Sequence, residues 1–207
     1  MIGATPRPRA STLPVWPSPP ARLRDPGSGI HLLQADLASA AGRVELYRLM
    51  LEERERRRVD LIQHSATREQ LTVALGLSRV VLAAHDRDPL ADVLTVAHAR
   101  VEGRAVFAVS RGARVGIELV PSRRGCEGLE LGAVAALGHA GCRKVDRAQL
   151  SSPNAEEALD RGHAMVLRHR SGAQSWTVQM LAVDRGLRVV LACASARRDL
   201  HCWTLQG

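Results

Sequence analysis

One carboxylate in this sequence lies where a carboxylate is costly. Glu118 falls inside an apolar segment between Ile117 and Leu119. In a β-strand, alternation turns its side chain to the face opposite those two neighbours. A carboxylate there is unfavourable unless it is paired or functional. Two interpretations stay open, a site residue or one half of a salt bridge to an arginine such as Arg123.

His98 is the second residue whose type and place could do chemistry. It lies in residues 94–100 (LTVAHAR), which resemble a strand, and has an alanine on each side. Because histidine titrates near neutral pH, it could hold a phosphate or act as a general acid or base. It could equally be a core histidine with one hydrogen bond.

Charged segments supply further candidates. Residues 51–58 (LEERERRR) contain Arg54 and Arg58, and Arg68 follows them. These arginines could bind phosphate or an acidic carrier protein. The alternative is a solvated helix face stabilised by Glu/Arg pairs one turn apart. Glu157, in a later polar segment, has the same two interpretations, site residue or solvated helix face.

The spacing of cysteine and histidine argues against metal and redox chemistry. The cysteines are far apart and form no CxxC pair, so zinc and thioredoxin-type sites lack their usual signature. We expect small buried or half-buried thiols. The four are Cys126, Cys142, Cys193 and Cys202. His163, His169 and His201 have no metal-ligand spacing with one another, and we assign them no function.

The composition limits the partners. The 207 residues carry a net charge of +8, and of the 29 Lys and Arg residues only Lys144 is a lysine. Aromatic residues make up only 2%, which disfavours a nucleic-acid partner that binds by base stacking. No apolar run is long enough to cross a bilayer, and the N-terminus lacks the apolar segment of a secretory signal. We therefore expect no membrane partner and a cytoplasmic location.

Periodicity predicts the elements that must position the candidate residues. Strands are predicted over 30–37, 94–97, 105–109, 115–120, 176–183, 187–194 and 200–205, with a tight turn over 111–114 (RGAR). Helices are predicted over 45–63, 66–85, 129–139 and 154–163. Helices followed by strands occur twice, which predicts an α+β fold of two similar halves. We divide the chain into a proline-rich tail (1–28), an N-terminal half (29–112) and a C-terminal half (113–207).

The order and spacing of these segments resemble the Sfp-type 4'-phosphopantetheinyl transferases over about residues 30–205. Residues 51–58 and the helix after them resemble the family's opening helices, and LTVAHAR resembles its FNLSHS segment. VFAVSRGARVGIELV (106–120) resembles the hairpin that ends in the metal-binding GIDIE. SWTVQMLAVDRGLRVVLACA and the final HCW resemble the closing strands.

The resemblance implies a fold, a reaction and a set of site residues. Family members move phosphopantetheine from coenzyme A to a carrier-protein serine, with Mg²⁺ at the seam of two pseudo-symmetric α+β halves. The implied catalytic residues are Glu118, His98 and Glu157. The implied phosphate and coenzyme A ligands are Arg54, Arg58, Arg68, His98 and Arg161. Glu118 and Glu157 would hold the metal.

Departures from the family pattern fall on the nucleotide site. Glu118 replaces an aspartate and moves the carboxylate by about 1.5 Å, and Val120 replaces a second acid. In PNAEEALDR (153–161), Glu156 replaces the lysine beside the metal, which inverts the charge that phosphoryl transfer needs. The GKP loop has no counterpart, and alanines replace both serines around His98.

Three hypotheses follow from this pattern. The first is a family descendant of natural-product biosynthesis that no longer uses coenzyme A or metal and acts on a polyketide or peptide intermediate, with Glu118 and His98 as acid and base. The second is an active transferase that uses coenzyme A and Mg²⁺ held by Glu118 and Glu157. The third is a non-catalytic module that binds acyl or peptidyl carrier proteins. Because several parts of the nucleotide site fail together, we favour the first.

Overall fold

Short apolar segments with alternating side chains build two sheets in the computed structural model. The structure describes residues 16–20, 23, 26, 29–85, 94–101, 103–150, 165–171, 174–183, 186–194 and 199–205. The strands in this part of the chain are β1 (Ile30–Asp36), β2 (Leu94–Val101), β3 (Arg104–Arg111), β4 (Val115–Pro121), β5 (Met165–Ser171), β6 (Gln174–Ala182), β7 (Leu187–Cys193) and β8 (Leu200–Leu205). The α-helices are α1 (Val44–Leu49), α2 (Glu53–Asp60), α3 (Ser65–His85) and α4 (Gly125–His139).

Each sheet has four strands. The first has the order β2-β3-β1-β8, in which β1 and β8 are parallel and the other pairs are antiparallel. The second has the order β4-β7-β6-β5 and is antiparallel throughout. The last strand, β8, thus completes the sheet that contains the first strand. The prediction of a mixed α+β architecture is confirmed.

The two sheets pack face to face between layers of helix. Ile30 and Leu32 of β1 share one apolar core with Ile117 of β4 and Val189 of β7. The opposite face of the first sheet packs against α1 and α3, and the opposite face of the second packs against α4. Each fully buried aliphatic side chain contributes about 1.5–3 kcal/mol to folding. The layering leaves the open edges of the sheets as the places where polar side chains can gather.

The predicted helix over 45–63 is wrong as a single helix. The structure divides it into α1 and α2, because Glu52 adopts an extended conformation and caps α2. The backbone N–H of Glu52 donates to Oε2 of Glu55 at 2.9 Å, which is the reciprocal bond of a capping box. Val59 of α2 is fully buried against Leu71 of α3. The break therefore turns α2 onto α3.

The turn over 111–114 is present, but it does not close a hairpin. Gly112 has a positive φ of 64°, and Oγ of Ser110 donates to the carbonyl of Ala113 at 2.7 Å. The strands on either side, β3 and β4, belong to different sheets. The hairpin that the resemblance implied is corrected here, because the turn carries the chain from one sheet to the other.

Most other predicted elements agree with the structure. The strand over 30–37, the helix over 66–85 and the strand over 200–205 match β1, α3 and β8 within a residue or two. Strand β5 was not predicted, because its sequence (MVLRHRS) lacks clear alternation. The predicted helix over 154–163 lies outside the described residues.

Two further expectations concern the burial of the cysteines and the presence of membrane-spanning segments. All four cysteines are free and either buried or half-buried, as predicted. Burial raises the pKa of the Cys202 thiol to about 11. Among the described helices, none combines the length and apolarity needed to cross a bilayer.

Candidate functional site

Two edge strands that carry predicted site residues lie against each other. β2 is an edge of the first sheet and β4 is an edge of the second. Cα atoms of the two strands approach within 8 Å. Side chains from both sheets can therefore meet along this seam.

Glu118 occupies the face of β4 that packs against α4. Ile117 and Leu119 point into the core between the sheets, so the alternation predicted from the sequence is correct. The Glu118 side chain is 32% exposed, and its Oε2 lies 3.9 Å from Nδ1 of His139. Burial raises the pKa of Glu118, whereas His139, the Leu119 amide and Arg124 act in the opposite direction. The carboxylate is thus half-buried and only partly compensated.

His139 is a site residue that the sequence analysis missed. It is the last residue of α4, and its Nδ1 donates to the carbonyl of Ile117 at 3.2 Å. Gly116 makes this approach possible, because a Cβ there would overlap the Ala136 carbonyl oxygen and the Ala140 amide nitrogen. A glycine two residues before a strand carboxylate was the only local sign that a helix comes this close.

His98 lies on the face of β2 opposite the core between the sheets. Its ring centroid is 6.2 Å from that of Phe107, its antiparallel partner on β3. Burial lowers the pKa of His98, and the positive charges of Arg58 and Arg100 lower it further. His139 adds a smaller effect of the same sign, and Glu55 opposes them. His98 makes no hydrogen bond to any described residue.

Helix α2 brings Arg58 to this neighbourhood. Its buried Val59 fixes the helix on α3, and Glu55, one turn before Arg58, lies 3.0 Å from Nη2 of Arg79 on α3. Arg58 and Glu55 are both among the charges that act on the pKa of His98. We call the residues Glu118, His139, His98, Arg58 and Arg100 the seam cluster.

Arg68 and Arg54 are not among the residues that influence His98. Arg68 lines a separate groove of about 530 Å³ between α1 and α3, beside the bidentate Arg48–Asp60 ion pair. Its Nη1 donates to the carbonyl of Ile62 at 3.4 Å. Arg54 is an exposed residue of α2. The structure therefore brings Arg58, but neither of these, into the seam cluster.

The surroundings of Glu118, one of the two predicted metal ligands, bear on the metal-binding prediction. The charged groups that influence Glu118 are His139 and Arg124, and neither is a carboxylate. Glu157, the predicted second ligand, and Arg161 lie outside the described residues. In the described ranges, no three His, Cys, Asp or Glu side chains are grouped so that they could hold a metal ion. Of the two predicted metal ligands only Glu118 lies within the described residues, so we derive no step through Mg²⁺.

Comparison with known proteins leaves the resemblance as it was. Neither a protein-family model nor a curated protein sequence matches this chain.

Proposed function

We propose that this protein is a divergent relative of the 4'-phosphopantetheinyl transferases that acts on a polyketide or peptide intermediate by metal-independent acid/base catalysis. The reacting groups are His98 and Glu118, at the seam between the two sheets. The observation that carries the proposal is that these two residues lie on contacting edge strands of different sheets and have pKa values shifted in opposite directions. Pairs of titratable groups whose surroundings shift their pKa values apart are typical of acid/base sites.

His98 is suited to accept a proton. Because burial and two nearby guanidinium groups lower its pKa, its imidazole is neutral at neutral pH and has a lone pair available. It is half-buried and has no hydrogen bond to the described residues, so nothing there competes with a substrate for its ring. In the proposed reaction His98 removes a proton from the intermediate.

Glu118 is suited to hold a proton and return it. Its raised pKa means that the neutral acid persists to higher pH than in an ordinary glutamate. His139, 3.9 Å from Oε2, limits that rise. Removal of one proton and delivery of another needs no external co-reactant, so isomerisation or cyclisation of the intermediate is the reaction class proposed.

The first experiment separates this function from group transfer. The purified full-length chain is incubated with an apo-carrier protein, coenzyme A and Mg²⁺, and the carrier is weighed by mass spectrometry. We expect no mass gain while circular dichroism shows a folded protein. Phosphopantetheinylation of the carrier would overturn the proposal in favour of the transferase reaction.

The second experiment tests the two proposed catalytic residues. Glu118→Gln and His98→Asn are introduced in the producing strain, and the pathway product is quantified. We expect each to lower the output at least about a hundredfold, the usual size of a general acid or base contribution. His201→Asn, at an exposed position of β8, is the matched control and leaves the output unchanged. Unaltered output in both seam variants contradicts acid/base catalysis.

One observation favours a second candidate, the carrier-protein-binding module. Leu49 of α1 is 77% exposed and Leu61 after α2 is 82% exposed, which is unusual for large apolar residues so close together in the chain. Nearby exposed arginines without an ion pair among the described residues include Arg54, Arg56 and Arg58. Exposed apolar side chains and exposed arginines in the same stretch of chain are suited to an acidic carrier protein.

Calorimetry with an apo-carrier protein tests this second candidate. If the module binds carriers, Leu49→Ser and Leu61→Ser each weaken binding by about tenfold, the cost of one lost apolar contact of this size. Leu131→Ser, at a 41% exposed position on α4, is the control. Carrier binding combined with unaltered pathway output in Glu118→Gln would favour the module over the catalyst.

A further inference from the structure

The proline-rich tail contributes one large side chain to the interior of the fold. Trp16 is 6% exposed and belongs to the core between the two sheets, whereas Pro17 and Ser18, which follow it, are exposed. Leu23, further along the tail, packs with the core on the opposite face of the first sheet. The described tail residues thus contact both faces of this sheet, and an aromatic side chain enters the core from an exposed segment.

This segment is held at the open edge of β8. The strand is the last in its sheet, on the side opposite β2. The backbone N–H of Thr204 on β8 donates to the carbonyl of Pro17 at 2.8 Å, and Oγ1 of Thr204 donates to the carbonyl of Trp16 at 2.9 Å. Nε2 of Gln34 on β1 donates to the same hydroxyl oxygen at 2.7 Å, which leaves the hydroxyl proton for the Trp16 carbonyl.

These contacts resemble those between a protein and a bound peptide more than those between paired strands. Pro17, Pro19 and Pro20 have no backbone N–H, so residues 16–20 cannot extend the sheet as a regular ladder. Extended proline-rich segments commonly bind through their carbonyl oxygens and through side chains that enter apolar pockets. The features that β8 and the core contact here are an indole and two carbonyls. None of these depends on the covalent link between the segment and β1.

We infer that the edge of β8 and the adjoining end of the core between the sheets form a binding site for an extended peptide segment in which a large aromatic residue precedes proline. The chain's own residues 16–20, which we call the strap, occupy this site. Because β8 and β2 are opposite edges of the first sheet, the site is separate from the seam and does not rest on the proposed function. A tethered segment has an effective concentration on the order of millimolar, so a partner segment of the same chemistry binds only when the strap is released.

The test supplies the strap sequence as a separate peptide to the full-length chain. The probe is a fluorescently labelled peptide with the sequence of residues 13–20 (LPVWPSPP), and binding is measured by fluorescence anisotropy. Trp16→Ala in the chain removes the indole from the core and leaves Thr204 and Gln34 in place. We expect this variant to bind the probe at least about tenfold more tightly than the native chain does. Bound probe should also raise the melting temperature of the variant.

Matched changes assign the contacts. The same peptide with Trp16→Ala should bind the variant chain at least about thirtyfold more weakly, as expected for the loss of a buried aromatic anchor. Adding Thr204→Val to the variant chain removes the hydroxyl bond but keeps the backbone N–H, so probe binding should weaken about fivefold. Val189→Ala is the control, because it also removes atoms from a fully buried position of the same core but leaves the strap in place. Its probe binding should stay at the native level.

Three results would overturn the inference. A folded Trp16→Ala chain that does not bind the probe would show that Trp16 is a core residue without a peptide site. Equal affinity for the probe and its alanine version, or probe binding by Val189→Ala, would indicate unspecific apolar attraction.

A second measurement replaces Trp16→Ala if that variant does not fold. The native chain is labelled with 5-fluorotryptophan, and the fluorine resonance of Trp16 is assigned from Trp16→Phe. Excess probe should displace the strap and shift this resonance to its solvent-exposed position. An unchanged resonance at probe concentrations on the order of several millimolar, above the effective concentration of the strap, would refute the site.

Discussion

Two histidines on the first sheet, His31 and His98, have opposite surroundings. His31 on β1 is buried, and its Nδ1 is 2.8 Å from Nε2 of His85. Nδ1 of His85 lies 2.7 Å from the carbonyl of Val81 and must donate to it. Nε2 of His85 is then the acceptor in the neutral ring, and His31 donates. His98 has no hydrogen bond of this kind to a described residue.

The ring contacts differ in the same way. The His31 ring meets Trp203 edge-on at 4.6 Å and His201 at 5.5 Å, whereas the ring that His98 contacts in the described part of the chain is the more distant Phe107. A histidine whose donors and acceptors are matched inside the protein contributes to stability. His98 is half-buried near positive charges and lacks such bonds to the described residues. Its ring nitrogens are therefore available to a ligand. Both residues are histidines, so it is their surroundings that distinguish a structural role for His31 from the functional role proposed for His98.

The largest expected effect is on stability and concerns Gly116, where β4 contacts α4. Gly116→Ala forces a Cβ against the Ala136 carbonyl oxygen and the Ala140 amide nitrogen, and backbone atoms cannot move aside cheaply. We expect the free energy of unfolding in urea to fall by about 3 kcal/mol. Gly138→Ala on α4, where a Cβ meets nothing within 4 Å, is the control. It should be neutral or stabilising, and equal stability of the two variants would refute the close approach.

The next effect separates the two histidine environments directly. His85→Ala leaves the His31 donor without its partner and opens space in a buried region, so we expect a loss of about 2–3 kcal/mol in the free energy of unfolding. His98→Ala should cost less than about 1 kcal/mol while it abolishes the pathway output. Equal destabilisation by the two substitutions would remove the distinction between structural and functional histidine.

A smaller effect is expected for the pH dependence contributed by Glu118. Its pKa is raised in the folded protein, so the native state binds this proton more tightly than the unfolded state does. The stabilisation is present below the folded pKa and is lost as the pH rises from about 4.5 through that value. Compared with the native protein, the free energy of unfolding of Glu118→Gln should increase by about a few tenths of a kcal/mol between pH 4 and pH 7. Parallel stability curves would contradict a buried carboxylate.

The smallest effect is that of His98, and it has the opposite sign. Its pKa is lowered in the folded protein, so the unfolded state binds the proton better, and native stability decreases as the pH falls from about 6.5 through the folded value. His98→Asn should remove this acid-side loss and leave stability above pH 7 unchanged. An identical acid limb in native and variant urea titrations would show that the ring is not shielded.

Sequence periodicity predicted the parts of this molecule that depend on neighbouring residues. The alternation of β4 correctly turned Glu118 away from Ile117 and Leu119, and the apolar spacing of α3 located that helix. The break between α1 and α2 at Glu52 could not be predicted, because a charge-rich segment has too few apolar residues for their spacing to show where one helix ends and the next begins. Strand β5 is not predicted either, because its sequence lacks a clear alternation of apolar and polar residues.

Tertiary packing decided which of these residues meet. His139 reaches Glu118 because α4 packs on Gly116, and β2 contacts β4 although the two strands belong to different sheets. The pairing of β8 with β1 and the bond between His31 and His85 join residues far apart in the chain. Side-chain periodicity is a property of one element, whereas contacts between elements depend on how several faces are buried at once. Hence the sequence alone specified which face each side chain occupies, and the fold specified its neighbours.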